Sequence, residues 1–185
     1  MVRMMRACGL GAVLAVLLGG CGQGGPSGSN APAGGGGAGQ PASDRGVPAW
    51  ILAEAPGDAL PVAEVKADAK EGDRVVIRGR IGGRRDPISE GSPTMIIMDG
   101  SIPSCADNPG DNCPTPWDYC CEPAEVKTAN TATVQVVDAG GQPVGQTIQS
   151  AGLSPLDEVI IVGVVGPRPD ASVLTVMATG VYRVR

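Results

Sequence analysis

Histidine and phenylalanine are absent, and Trp50, Trp117, Tyr119 and Tyr182 are the only aromatic residues in a chain of 185. Without histidine the commonest general base is missing, and so few aromatics leave no usual stacking platform for nucleic-acid bases. The arrangements that activate a nucleophile or a water, G-x-S-x-G, S-x-x-K and H-E-x-x-H, do not occur. Long hydrophobic runs are lacking too. The apolar stretch near the start, Ala7 to Leu18, falls short of the ~20 residues a helix needs to span hydrocarbon. What is abundant is glycine, at 29 residues, and proline, at 17, a level that approaches low complexity and should be concentrated in one region. The length leaves room for one domain with appendages. The formal net charge of −5 repels polyanions, so no nucleic-acid partner is expected.

Residues 1–20 combine a cationic start at Arg3 and Arg6 with the short apolar stretch, the layout of a secretory signal. Its end, Leu18-Gly19-Gly20-Cys21, resembles the lipobox of bacterial lipoproteins. That resemblance implies cleavage before Cys21, a diacylglycerol thioether on its sulfur and acylation of the new amino group. Gly22 in place of Asp implies outer-membrane sorting, with the domain in the periplasm or at the cell surface. Several acyl chains would hold the protein to a bilayer far better than one, at about 0.8 kcal/mol per buried CH₂. From residue 22 to 46 no large apolar side chain occurs, so 21–46 reads as a lipidated cysteine followed by a flexible Gly/Pro/Ser-rich tether.

A further N-terminal segment, 47–72, contains a short predicted helix from Val62 to Lys70, with Val62, Val65 and Ala69 on one face and Gly72 as its stop. From Asp73 the period changes to two. Arg74 to Ile81 places Val75, Ile77 and Ile81 opposite Arg74, Arg78 and Arg80. Further strands are expected at Thr94–Met98 and Thr131–Asp138, with a Gly140-Gly141 hairpin turning into a strand over Val144–Ile148. Glu158–Val165 reads as a strand covered on both sides. Val173–Val184 reads as a strand with Leu174, Val176, Ala178, Tyr182 and Val184 on one face. The stretch after the second strand, 100–130, reads as a long irregular insert.

This pattern over 73–185 predicts an all-β fold, a small five- to six-stranded barrel with one short helix and a disulfide-rich loop insert. The rhythm of Asp73–Ile81, Met95–Gly100, Val159–Val165 and Leu174–Ala178 is similar to that of oligonucleotide/oligosaccharide-binding (OB) folds. In such a barrel Gly79 and Gly163 would relieve crowding where bent strands coil. One departure from the pattern is that Ser150–Pro155 leaves little room for the usual helix between the third and fourth strands.

The insert carries Cys105, Cys113, Cys120 and Cys121 in the spacing C-x₇-C-x₆-C-C. An even count in an exported protein points first to disulfides, with Cys105 and Cys113 each joined to one of the adjacent pair, and the pairing left open. The alternative is a metal or redox site, four thiolates taking Zn²⁺ or Cu(I) beside Asp107, Asp111, Asp118 and Glu122. Trp117 and Tyr119 are expected either to pack the insert onto the barrel or to form an aromatic platform for a sugar or protein, with Arg78 and Arg80 receiving an anionic group. No cofactor is expected. The sequence therefore leads to a non-catalytic, membrane-anchored envelope lipoprotein that binds a protein or glycan, and second to a metal-handling or thiol-redox protein built on the four-cysteine insert.

Overall fold

The computed structural model describes residues 46–184. The signal segment 1–20, Cys21 and the tether as far as residue 45 lie outside the described residues. No described helix is long and apolar enough to cross a membrane.

The elements run β1 (Leu60–Pro61), α1 (Val62–Asp68), β2 (Arg74–Ile81), β3 (Thr94–Met98), α2 (Ala124–Asn130), β4 (Thr131–Val136), β5 (Glu158–Val165) and β6 (Thr175–Arg183), with short 3₁₀ turns at Cys105–Asp107 and Gln149–Ala151. The sheet order β2-β3-β4-β6-β5 closes on itself through β2–β5 pairing, from Arg74↔Val164 to Arg80↔Glu158. All neighbours in the barrel are antiparallel except β4 and β6, and β1 lies outside it as a sixth strand, parallel to β2. A closed barrel of five strands removes free edges, which a sheet this small would otherwise expose. The fold is all-β and OB-like.

Alternation explains what fills the barrel. Ile77, Ile81, Met95, Ile97, Val134, Val136, Val159, Ile161 and Val176 point inward and are completely buried. Val62 and Val65 bring one face of α1 onto the same core. Gly79 and Gly163 stand where strands press closest. A Cβ at Gly79 would lie 2.8 Å from the Met98 carbonyl oxygen, and one at Gly163 would lie 2.5 Å from that of Met177.

Helix α1 begins after Pro61, whose side chain offers no cap. The cap comes from Asp99, just past β3, where Oδ2 accepts the Ala63 N–H at 2.9 Å and Oδ1 accepts that of Ser101. Arg168 closes the other end, donating to the carbonyls of Lys66 and Ala69 as well as to those of Ala171 and Val173. The buried Lys66 ammonium donates to the Thr128 and Thr131 carbonyls at the α2–β4 junction, which ties the two helices together.

Four expectations need correction. The insert is not irregular throughout, because α2 occupies its last seven residues and leads straight into β4. Val144–Ile148 is not a strand. The turn exists, with Asp138 accepting the Gly140 and Gln142 N–H groups, but pairing stops after the single bridge Val137↔Pro143, and Ile148 drops into the core. Along β6 the face assignment fails beyond Ala178. Gly163 pairs with Ala178 while Val162 pairs with Gly180, so Thr179 is an extra residue in a β-bulge. The bulge reverses the alternation. Val181 points inward instead, and Tyr182 and Val184 turn outward. Strand β5 is covered on both sides only in its first half, since Val164 is exposed.

Candidate functional site: the cysteine insert and the groove beside it

The insert docks on the end of β2 through glycine. A Cβ on Gly82 would lie 2.6 Å from the Trp117 carbonyl oxygen and 3.0 Å from the Tyr119 ring. The same carbonyl accepts the Gly83 N–H at 2.8 Å. Trp117 donates its indole N–H to the Arg85 carbonyl at 2.8 Å. Tyr119 is buried, with its backbone at φ +56°, and its hydroxyl lacks a hydrogen-bond partner. Burial, chiefly, pushes its pKa up. Of the two roles expected for these aromatics, Tyr119 takes the packing one, because a ring 1% exposed offers no platform.

Arg80 fastens the near side. Its guanidinium meets Asp107 at 2.6 Å and the Ser104 hydroxyl at 3.3 Å, while Asp107 accepts the Ser104 N–H and hydroxyl in a capping box around the 3₁₀ turn. Those Ser104 bonds, reinforced by Arg80, hold the Asp107 carboxyl below the usual carboxylate range. Arg78 pairs with Glu158 at 2.7 Å. Both arginines expected to receive an anion are thus matched by carboxylates of the protein itself.

The four cysteines converge as free thiols. The Cys120 sulfur lies 3.5 Å from that of Cys105, 3.5 Å from that of Cys113 and 4.0 Å from that of Cys121. The expected proximity of the four sulfurs is there, and no disulfide joins them among the described residues. Two tight turns place the sulfurs. Asp111 accepts the Cys113 N–H at 3.0 Å, and Asp118 accepts the Cys120 N–H at 2.8 Å and the Thr115 hydroxyl at 2.7 Å. Ligand atoms of Cys105, Cys113, Asp118 and Cys120 all lie within 4.8 Å of one another, as do those of Cys105, Asp111 and Cys121. Burial alone would raise the Cys105 pKa. Hydrogen bonds from the Cys120 thiol and the Cys121 and Cys120 N–H groups outweigh it and bring the pKa down. Cys120, donating to Cys105 and Cys113, is pushed well up.

Beside the insert lies a groove of about 980 Å³. Its walls are the N-terminal segment Val47–Ala53, Ala106 and Asp107 of the insert, Leu153–Glu158 before and at the start of β5, and Tyr182–Val184 at the end of β6. The N-terminal segment is fixed to β6, where Val181 exchanges backbone hydrogen bonds with Trp50 and Leu52, each at 2.8 Å. Arg183 pairs with Asp157 at 2.7 Å on one wall. Sequence reasoning missed this groove, because its residues come from five separate stretches, Arg80 of β2 among them, and because Tyr182 faces it only by virtue of the Thr179 bulge. The face across β3 and β4, where OB barrels usually bind ligands, carries a cleft of about 250 Å³ at Arg84, Ile96 and Thr131–Thr133, with no aromatic residue lining it.

No family model matches the chain, and no curated protein matches it. Among solved structures, the chain is similar to an enzyme assigned as an aspartyl-tRNA synthetase in Leishmania major Friedlin, at 13% identity and a TM-score of 0.39. The match covers 71% of this chain but 22% of that one. The OB-like description accordingly stands on the strand pairing alone.

Proposed function

We propose that this chain is a non-catalytic binding module, held at the bacterial cell envelope by lipid on Cys21, that takes a segment of a partner protein in the groove beside the cysteine insert. The observation that carries the reading is the groove itself, which falls at the upper end of the size range of ligand sites. Its charge is internally balanced. Asp107, Asp157 and Glu158 are paired with Arg80, Arg183 and Arg78, so no lining carboxylate is left to act as a general base. Recognition then falls to Ile51, Leu52, Leu156 and Tyr182, side chains suited to an extended apolar peptide. The burial of Tyr119 weighs against the sugar-stacking alternative. A second reading, in which the insert handles metal or thiol redox chemistry, is favoured by the convergence of its sulfurs.

Two measurements test the proposal in the full chain. Cys21→Ala is expected to abolish palmitate incorporation and release the protein from the membrane fraction. A photo-crosslinker at Tyr182 is expected to give one discrete adduct, lost on Leu156→Arg. Retention of Cys21→Ala on membranes overturns the anchor, and a crosslink pattern indifferent to Leu156→Arg overturns the groove.

A further inference from the structure

We propose that the insert is a binding site for one thiolate-preferring metal ion of the Zn²⁺ type, with Cys105, Cys113 and Cys120 as three ligands and the fourth supplied by Cys121 or Asp118. The spacing of the sulfurs carries the argument. Four thiolates about 2.3 Å from a central Zn²⁺ stand roughly 3.8 Å apart along the edges of their tetrahedron, whereas bonded sulfurs are about 2.05 Å apart. Cys120 lies 3.5 Å from both Cys105 and Cys113 and 4.0 Å from Cys121. The sulfurs of Cys105, Cys113 and Cys120 and an oxygen of Asp118 all lie within 4.8 Å of one another, the compactness of ligands round a shared centre.

The surroundings agree with a cation. Asp118 brings an oxygen within 4.8 Å of all three leading sulfurs, and Asp111 stands equally close to Cys105 and Cys121. Asp118 accepts the Cys120 N–H at 2.8 Å, an outer-shell bond that fixes the backbone of that ligand. Cys105 is buried while Cys120 and Cys121 are exposed, so the cluster has a sealed floor and an open approach for the ion. The Asp111 and Asp118 turns and the Ser104–Asp107 box hold the cysteine backbone by bonds that do not involve the sulfurs. Binding is not a redox step: each ligating thiol gives its proton to solvent and keeps its electrons in the metal–sulfur bond.

The inference is independent of what the groove binds. Its test uses the full chain, purified under reductant and titrated with Zn²⁺ and with Co²⁺. One equivalent of Zn²⁺ per chain, alkylation of the insert thiols only after a chelator is added, and tetrahedral thiolate absorption with Co²⁺ are expected. Cys113→Ser, at a partly exposed position, should weaken Zn²⁺ binding by at least about ten-fold, while Arg74→Ala leaves it unchanged. Of Cys121→Ser and Asp118→Asn, the variant that alters the Co²⁺ spectrum identifies the fourth ligand. Zn²⁺ bound no more tightly by the wild-type chain than by Cys113→Ser overturns the site. So does exported protein that has lost four hydrogens and carries no metal, a result that requires no variant to fold.

Discussion

Gly163 sits in β5 with the Met177 carbonyl oxygen 2.5 Å from where a Cβ would be and the Ala178 Cα at 3.0 Å. Both neighbours are backbone and cannot swing aside. Gly163→Ala should therefore force the β5–β6 ladder apart at its bulge and cost about 1–3 kcal/mol, measured as a lowered midpoint in urea with an unchanged slope. Tyr119 makes the opposite case. Its ring packs on Gly82 but its buried hydroxyl has no partner, and an unpaired buried polar group is a cost rather than a gain. Tyr119→Phe is expected to leave thermal stability unchanged or raise it. A drop of more than about 1 kcal/mol would show that the hydroxyl is satisfied in solution.

Among the elements, α1 depends on a carboxylate far away in sequence. Asp99 is buried, and burial raises its pKa, but the N–H groups of Ala63, Ser101 and Val62 outweigh that and hold it below the usual carboxylate range. Asp107 and Asp118 are held low as well. Groups that bind their proton more weakly when folded add stability that is complete above their unfolded pKa, near pH 4, and that disappears as pH falls through the lower folded values. The melting temperature should therefore drop below about pH 4, and Asp99→Asn, less stable at neutral pH, should lose less of it. The strands of the barrel were legible in the sequence because each carries its own alternation, and α1 was legible because it buries Val62 and Val65. Helix α2 was not, since it buries no residue and so leaves no apolar period to read. The direction of Tyr182 was hidden for a different reason. A bulge arises from pairing with another strand, and Thr179 looks like any other strand residue until Val162 and Gly163 are seen opposite it. The cysteines announced a cluster by count and spacing, whereas the 3.5 Å separation depends on where two Asx turns set their backbones.

For the whole molecule, the salt bridge between Arg80 and Asp107 is the link between barrel, insert and groove. Both partners are partly exposed, so the ion pair contributes at most about 1 kcal/mol, and the cap that Asp107 provides to Ser104 adds about as much. Asp107→Asn is expected to speed amide exchange across 104–122 while the amides of β2 and β5 keep their protection. Uniform loss of protection would mean that insert and barrel unfold as one unit. That Val184 lines the same groove as Val47 has a practical corollary. Any affinity handle or fluorescent fusion appended after residue 184 starts at the edge of the cavity and can obstruct it. The Asp138–Gly141 turn, exposed and contributing nothing to that cavity, is the safer place to label the protein.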